Sequence, residues 1–431
     1  MSTSSGGTGG GLSLAPFRAT RFAADGDRLA ALLSPPYDVI PGAQRSALLA
    51  HAPDNVAGLI LPQGPTGEPD YPGAAARLLD QLGRGVLRVD REPALYVYEL
   101  ATPAGGITRG LLGALELHAP GDGVVFPHEN VMAGPVADRL ALMEATDANL
   151  EPIYLIYDGG GAASHEVSVA TASAPLAAAS TPDGVVHRLW AIRDPAALTR
   201  IADDLASRTA VIADGHHRYA TYLELQRARR DAAGAGPWDR GLTLLVDIAA
   251  YGPQVEAIHR VVPGLDYAAA EARLAGWTLD PLPPADIARE AGLVLATPAS
   301  GFVAVLTDGT RAGVLHSPTR ELLDSVFGAE PDGAGHAQGL LESLDTTVVH
   351  RVLVEHTWGR PDTTETLLYA HDIGEAIGVA RAERGIAILL RPTPVDAVLA
   401  IATAGLRMPR KSTLFVPKPA SGLVIRRFAD A

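Results

Sequence analysis

The residues best placed to do chemistry in this chain stand together in one run, Val211-Ile-Ala-Asp-Gly-His-His-Arg-Tyr-Ala-Thr-Tyr222. Thr209, Val211 and Ile212 are β-branched and lead straight into Asp214-Gly215, which predicts a strand ending in a tight turn. Tyr219, Tyr222 and Leu223 then recur at the i, i+3, i+4 spacing of a helix. A turn that feeds a helix leaves the first backbone N–H groups without intrahelical partners and puts the positive end of the helix dipole behind them. Such a turn can cradle a phosphate. His216, His217 and Arg218 would add side-chain donors, the guanidinium by its paired geometry. A simpler arrangement uses the same residues internally: Asp214 caps the helix or pairs with Arg218, and each histidine is a satisfied buried donor. Zinc is disfavoured, because neighbouring helical residues do not share one metal face.

Three other stretches could line the same site. Ser34-Pro-Pro-Tyr-Asp-Val-Ile40 uses two prolines to fix an extended approach and offers Tyr37 and Asp38 at a loop, as a site wall or as a plain turn. Between Phe126 and Pro152 the chain packs His128, Glu129, Asp138, Arg139 and Glu151 among short apolar elements. This points either to a cleft or to solvated ion pairs. Near the C-terminus, Met408-Pro-Arg-Lys-Ser-Thr-Leu-Phe-Val-Pro-Lys-Pro419 places Arg410, Lys411 and Lys418 on a proline-stiffened frame.

The elements that must position these groups are of both kinds. Leu95–Leu100 and Ile107–Leu117, joined through Gly105-Gly106, read as a hairpin. Asp138–Ala145 reads as a helix, Ile153–Tyr157 and Leu242–Ile248 as buried strands, and Leu198, Ile201 and Leu205 mark an amphipathic helix. Gly159–Ser180 reads as an exposed connection or weak helix. Beyond it, helical patterns at Tyr267–Leu274, Thr346–Glu355, Gly374–Arg384 and Pro394–Ala402 alternate with strand-like Phe302–Leu306, Thr366–Tyr369 and Ile386–Leu390. This alternation predicts a mixed α/β (α+β) fold. The expected division is a Gly/Ser tail over 1–13, a nucleotide-binding catalytic region over 14–262, and an α/β region over 263–431 that returns the basic segment 408–419 to the site.

Composition narrows the function classes. The chain has 431 residues, 47% of them apolar, enough to fill more than one core. With 35 Lys and Arg against 49 Asp and Glu, the net charge of −14 argues against a nucleic-acid partner. There is no cysteine, so thiolate chemistry and disulfides are excluded. No apolar run has the length of a membrane span and no secretory signal opens the chain, so a cytoplasmic protein is expected.

Taken in order, Pro35-Pro-Tyr-Asp-Val-Ile40, Pro127-His-Glu129, Glu151-Pro-Ile153, Ala213-Asp-Gly-His-His-Arg-Tyr219 and Met408-Pro-Arg-Lys-Ser-Thr413 resemble the domain of unknown function 1015 family over essentially the whole chain after the tail. The Asp-Gly-His-His-Arg core is also similar, over about a dozen residues, to the phosphate-binding box of the ParB and sulfiredoxin superfamily. The resemblance implies a ParB/sulfiredoxin-like nucleotide-binding core with additional α/β elements. A sulfiredoxin needs a cysteine beside its box, and none is present. A partitioning protein needs a helix-turn-helix and positive charge, and neither is found. Relatives that phosphorylate free serine require neither.

The implied activity is therefore an ATP- and magnesium-dependent kinase acting on the hydroxyl of a free amino acid, L-serine foremost. In this reading Asp214, Gly215, His216, His217, Arg218, Lys411 and Lys418 bind the nucleotide, and Asp214 assists the metal. Tyr37, His128 and Arg139 meet the substrate. Glu129 orients or deprotonates the hydroxyl, with Glu151 and Asp38 as alternatives and His217 beside the reaction. The ligands are then a nucleotide and a small amino acid, with no nucleic acid and no membrane, and a homodimer is a possible assembly. The competing reading is a regulatory protein that binds ATP or CTP on the same turn without small-molecule chemistry.

Overall fold

The computed structural model describes residues 10–328, 335–363 and 365–431 and has a mixed α/β fold. The described chain divides into two compact units. One holds the residues up to Pro127, Val131–Pro253 and Pro417–Ala431, and the other His128–Asn130 and Gln254–Val416. The boundary expected at 262/263 is displaced because His259–Val262 pairs with Leu368–Ala370 and Ile386–Leu390, which assigns it to the second unit's sheet. Of the expected tail, residues 1–9 lie outside the described residues. Gly11 and Leu12 bond through their N–H groups to Ala206 and Arg208, and Leu12 joins the core.

The first unit is built on a nine-stranded mixed sheet. From one edge it runs Val125–Phe126, Ala210–Asp214, Ile153–Tyr157, Arg240–Asp247, Ile107–Glu116, Leu95–Ala101, Val186–Ile192 and Ala177–Ser180, with Leu14–Ala15 added against Ile107–Glu116. Ala210–Asp214 is parallel to Val125–Phe126 and antiparallel to Ile153–Tyr157, which itself runs parallel to Arg240–Asp247. The hairpin read from Gly105-Gly106 is present, in register from Tyr96↔Leu112 to Ala101↔Ile107. Strands buried on both faces carry near-continuous apolar runs, as Ile153-Tyr-Leu-Ile-Tyr157 does. Their core is shared with Ile201 and Leu205 of the helix Pro195–Leu205 and with Tyr219, Tyr222 and Leu225 of the helix His216–Ala233.

The Gly/Ala/Ser-rich stretch after Gly159 is more ordered than its composition predicts. It forms the helix Ala162–Ala170 and then the edge strand Ala177–Ser180. Alanine carries little strand preference, so that strand comes from its pairing with Val186–Ile192 and from no local signal.

The second unit has a six-stranded, wholly antiparallel sheet in the order Leu279–Leu282, Ala312–His316, Val303–Thr307, Ile386–Leu390, His259–Val262, Leu368–Ala370. Period-two alternation sends Ile386, Ile388 and Leu390 to one face, where they pack on Val348, Val349, Val352 and Leu353. Ala387 and Leu389 face the other side, against Ile287, Ala291, Ala376, Ile377 and Ala380. The helical pattern read over Thr346–Glu355 is met by a π-helix over Val348–Thr357.

Candidate functional site

The central turn forms as the sequence predicts. The strand ends at Asp214, Gly215 takes φ +93°, and the helix starts at His216. A glycine is required twice over. The left-handed backbone disfavours any Cβ, and a Cβ here would stand 3.1 Å from Nε of Arg218. The strand's register shifts between Ile212 and Asp214, so one extra residue re-aims Asp214 at the strand end.

Asp214 does not cap the helix. It is the hub of an ion network instead. Its Oδ2 accepts from the Arg218 guanidinium one helical turn away, and its Oδ1 lies 2.9 Å from the Lys418 ammonium. Lys418 also donates to Asp38 Oδ2 at 3.0 Å, so one ammonium bridges two carboxylates. Burial on its own would raise the Asp214 pKa, but Lys418 and Arg218 outweigh it and hold the group down at about 2. Burial works against the charge on Lys418 too, and the two carboxylates reverse that and raise its pKa.

The network brings together three distant parts of the first unit: the loop at Tyr37–Val39, the central turn, and the chain's last segment. Its supports are specific. Glu151 Oε1 accepts the Tyr37 N–H at 3.1 Å and the Ser421 hydroxyl at 2.7 Å, pinning the loop and the C-terminal segment to one carboxylate. The helix holds Glu151-Pro152 in turn, through Tyr222 O–H to the Glu151 carbonyl at 2.9 Å and through Arg218 to the Pro152 carbonyl. Arg139 stacks on the Tyr37 ring with its guanidinium carbon 4.3 Å from the centroid. The Arg139 donors go to Asp138 and to the Ile60 carbonyl, and Asp138 also accepts from Tyr71 O–H at 2.7 Å. Burial raises the Tyr37 phenol to about 12, with Arg218 and Arg139 pulling the other way.

These positions divide the expected site residues. Asp38, with a side chain 36% exposed, and Lys418, at 17%, are reachable from solvent. His217 is partly exposed and its Nε2 accepts the Met132 N–H at 3.0 Å, which puts the ring proton on Nδ1. His216 is buried beside Asp214. Arg218 is 6% exposed and Arg139 5%; Arg218 pairs with Asp214 and the Pro152 carbonyl while its Nε is out of solvent and without a partner among the described residues, and Arg139 goes to Asp138 and the Ile60 carbonyl. The internal pairing of Asp214 with Arg218 is the arrangement found.

His128, Glu129 and Lys411 belong to the second unit. His128 is buried, with Nε2 3.0 Å from the Thr413 hydroxyl and its carbonyl accepting the Met408 N–H. Glu129 exerts its charge on Arg260 and Tyr369. Lys411 has φ +55° and its carbonyl accepts from Arg260. Sequence reading missed Ser421 and Tyr71, since a lone serine after Pro419 and a tyrosine before Pro72 carry no local mark of their partners. Among the described residues no group of three or more His, Asp or Glu side chains forms a metal cage, and no helix is long and apolar enough to cross a membrane.

The chain belongs to the family described as a protein of unknown function, DUF1015, whose model matches residues 14–347. No curated protein matches it. Among solved structures it is similar to a free serine kinase variant in complex with AMP, at 13% identity over 69% of this chain and 89% of that one, with a TM-score of 0.35. It is also similar to a conserved hypothetical protein from Pyrococcus furiosus, at 14% identity over 71% and 94% with a TM-score of 0.35. A third similarity is to SbnI with a C-terminal truncation from Staphylococcus aureus, at 11% identity over 70% and 83% with a TM-score of 0.29.

Proposed function

We propose that this protein is a phosphotransferase that moves the γ-phosphoryl group of ATP to the hydroxyl of a free amino acid, L-serine foremost. The observation that carries the reading is Lys418, an ammonium held between Asp38 and Asp214 at the mouth of a strand-turn-helix whose first helical N–H groups follow Gly215. Phosphoryl transfer asks a protein mainly for positioning and for neutralisation of charge on the transferred group. An ammonium beside a helix start supplies both.

In the proposed reaction the acceptor oxygen forms a bond to the γ-phosphorus as the bond to the β-phosphate oxygen breaks. ADP leaves, and the hydroxyl proton passes to a carboxylate. Asp38 is proposed for that proton, because it is the exposed carboxylate of the cluster. Glu151 holds the loop and the C-terminal segment together and is proposed as a positioning residue. His217 and the N–H groups after Gly215 face the phosphates. Lys418 turns from Asp214 to the phosphates when nucleotide binds, and Arg218 stays behind to hold Asp214 in place.

Magnesium fits this donor set as an ion that arrives with the nucleotide, since Mg²⁺ is bound through one or two carboxylates plus phosphate oxygens. Asp214 would hold it once Lys418 has turned away, and the ion would supply neutralisation of the phosphate charge. The reading is tested by following ADP release with and without amino acids. Release that rises on adding L-serine supports it. Nucleotide binding with turnover indifferent to every amino acid would favour the regulatory reading.

A further inference from the structure

The Met408–Thr413 motif is not used by the cluster around Lys418, and it has a construction of its own in the second unit. Arg260 is fully buried, with no carboxylate among the described residues bonded directly to it. Its donors go to backbone carbonyls, of Ile258, of Arg410 at 3.3 Å and of Lys411 at 2.8 Å, and to Nε2 of His350 at 3.1 Å. Because that nitrogen accepts, His350 is neutral and its Nδ1 donates to Asp362 at 2.9 Å. Asp362 also takes the Arg410 guanidinium at 2.6 Å. Next along the turn, the Ser412 carbonyl accepts the Thr393 hydroxyl at 2.8 Å.

Three consecutive carbonyls are thus drawn to donors within the unit. In a trans peptide the N–H points opposite its carbonyl, so the following N–H groups are turned away from those donors. The N–H groups of Lys411 and Thr413 have no acceptor among the described residues. The pull on the carbonyls also fits the left-handed backbone of Lys411, φ +55°, at a position where glycine would be unstrained. Backbone N–H groups splayed outward by such a turn form an anion-binding concavity.

The charges agree with this. Among the described residues, Asp362 and Glu129 are the carboxylates that act on Arg260, and Asp362 also pairs with Arg410. Both guanidinium groups lie over the Tyr369 ring, whose hydroxyl is out of solvent and without a partner among the described residues. Lys411 carries its charge on an exposed side chain.

We propose that the turn Pro409–Thr413 is a second anion site, which takes a phosphate-type or carboxylate oxyanion on the outward N–H groups of Lys411 and Thr413 with the Lys411 ammonium as counter-charge. This site stands independently of the phosphotransferase reading. The shared chemistry could come from a phosphate group or from the carboxylate of a free amino acid, and the probes separate them.

The test is titration calorimetry of the full chain with inorganic phosphate and with acetate, for the wild type, Lys411→Gly and Lys418→Met. Glycine suits the left-handed backbone, so Lys411→Gly removes the charge without threatening the fold. Loss of one charge-assisted contact predicts about tenfold weaker anion binding in Lys411→Gly and unchanged binding at this site in Lys418→Met. Phosphate bound more tightly than acetate would mark a phosphate site, and the reverse a carboxylate site. Binding unaffected by Lys411→Gly, binding lost only in Lys418→Met, or no binding of either anion would overturn the proposal. The first two of these outcomes would leave the phosphotransferase reading standing.

Discussion

A single ammonium shared by two carboxylates is the residue-scale centre of this account, and its removal is the sharpest local prediction. Lys418→Met takes the charge from Asp38 while Asp214 keeps Arg218. Turnover is expected to fall by about a hundredfold or more, the scale of removing one preorganised stabilising donor, with some loss of thermal stability because Asp214 and Asp38 lose a largely buried partner. Unchanged steady-state kinetics in a folded variant would take Lys418 out of the reaction. The carboxylates separate in single-turnover measurements. Asp38→Asn should keep ATP binding and lose about a hundredfold in rate, as for a general base, whereas Glu151→Gln should show mainly as a lower melting temperature. A normal rate in Asp38→Asn would remove Asp38 from the proton-accepting role. Gly215→Ala meets a left-handed backbone as well as the Arg218 guanidinium, and a loss of about 1 to 2 kcal/mol in denaturant unfolding is expected. Of these residues, sequence alone made Asp214, Gly215 and Arg218 legible as a group because they are neighbours on one turn. Which way Arg218 faces was not legible. Its choice of the Pro152 carbonyl over solvent depends on a segment 66 residues away.

At the scale of elements, the strand, turn and helix from Ala210 to Ala233 were readable because their signals are local: β-branched residues, a glycine, then apolar residues at helical spacing. The elements that hold the site's other parts were not. The edge strand Ala177–Ser180 and the π-helix at Val348–Thr357 come from pairing and packing that no short window records. The C-terminal segment is likewise held by distant elements. Tyr98 O–H accepts the Ala420 N–H at 3.0 Å and bonds to Nδ1 of buried His187 at 2.7 Å, while the other ring nitrogen meets Thr181 at 3.0 Å. Burial lowers the His187 pKa to about 4, and it does the same for His259 in the second unit. The unfolded chain therefore binds protons at these positions below about pH 6.5, where the folded chain does not until near pH 4. The stability they contribute is complete above that window and is lost as pH falls through it, by up to about 3 kcal/mol per histidine. Unfolding free energies measured from pH 7 to 4 should slope downward, and His187→Gln should flatten about half of the slope. A slope unchanged by that substitution would show that His187 titrates normally.

For the whole molecule, the two units predict different behaviour on excision. The second is nearly continuous in sequence and has its own sheet and two apolar clusters, so residues 254–416 expressed alone are expected to give a cooperative thermal transition. A featureless melt with exposed apolar surface would deny that independence. The first unit is assembled from three separated stretches and has no such fragment. Sequence reading placed the fold class, but it put the division near 262, because the helix and strand patterns change gradually there while the pairing of His259–Val262 is decided by strands more than a hundred residues on. The chemistry is tested by incubation of the full chain with ATP, magnesium and a mixture of free amino acids, with the products read by mass spectrometry. A single phosphorylated amino acid, O-phosphoserine, is expected, made in step with ADP and absent when Lys418→Met replaces the wild type. ADP formed with no phosphorylated amino acid, or the same product at the same rate from Lys418→Met, would contradict the proposed reaction.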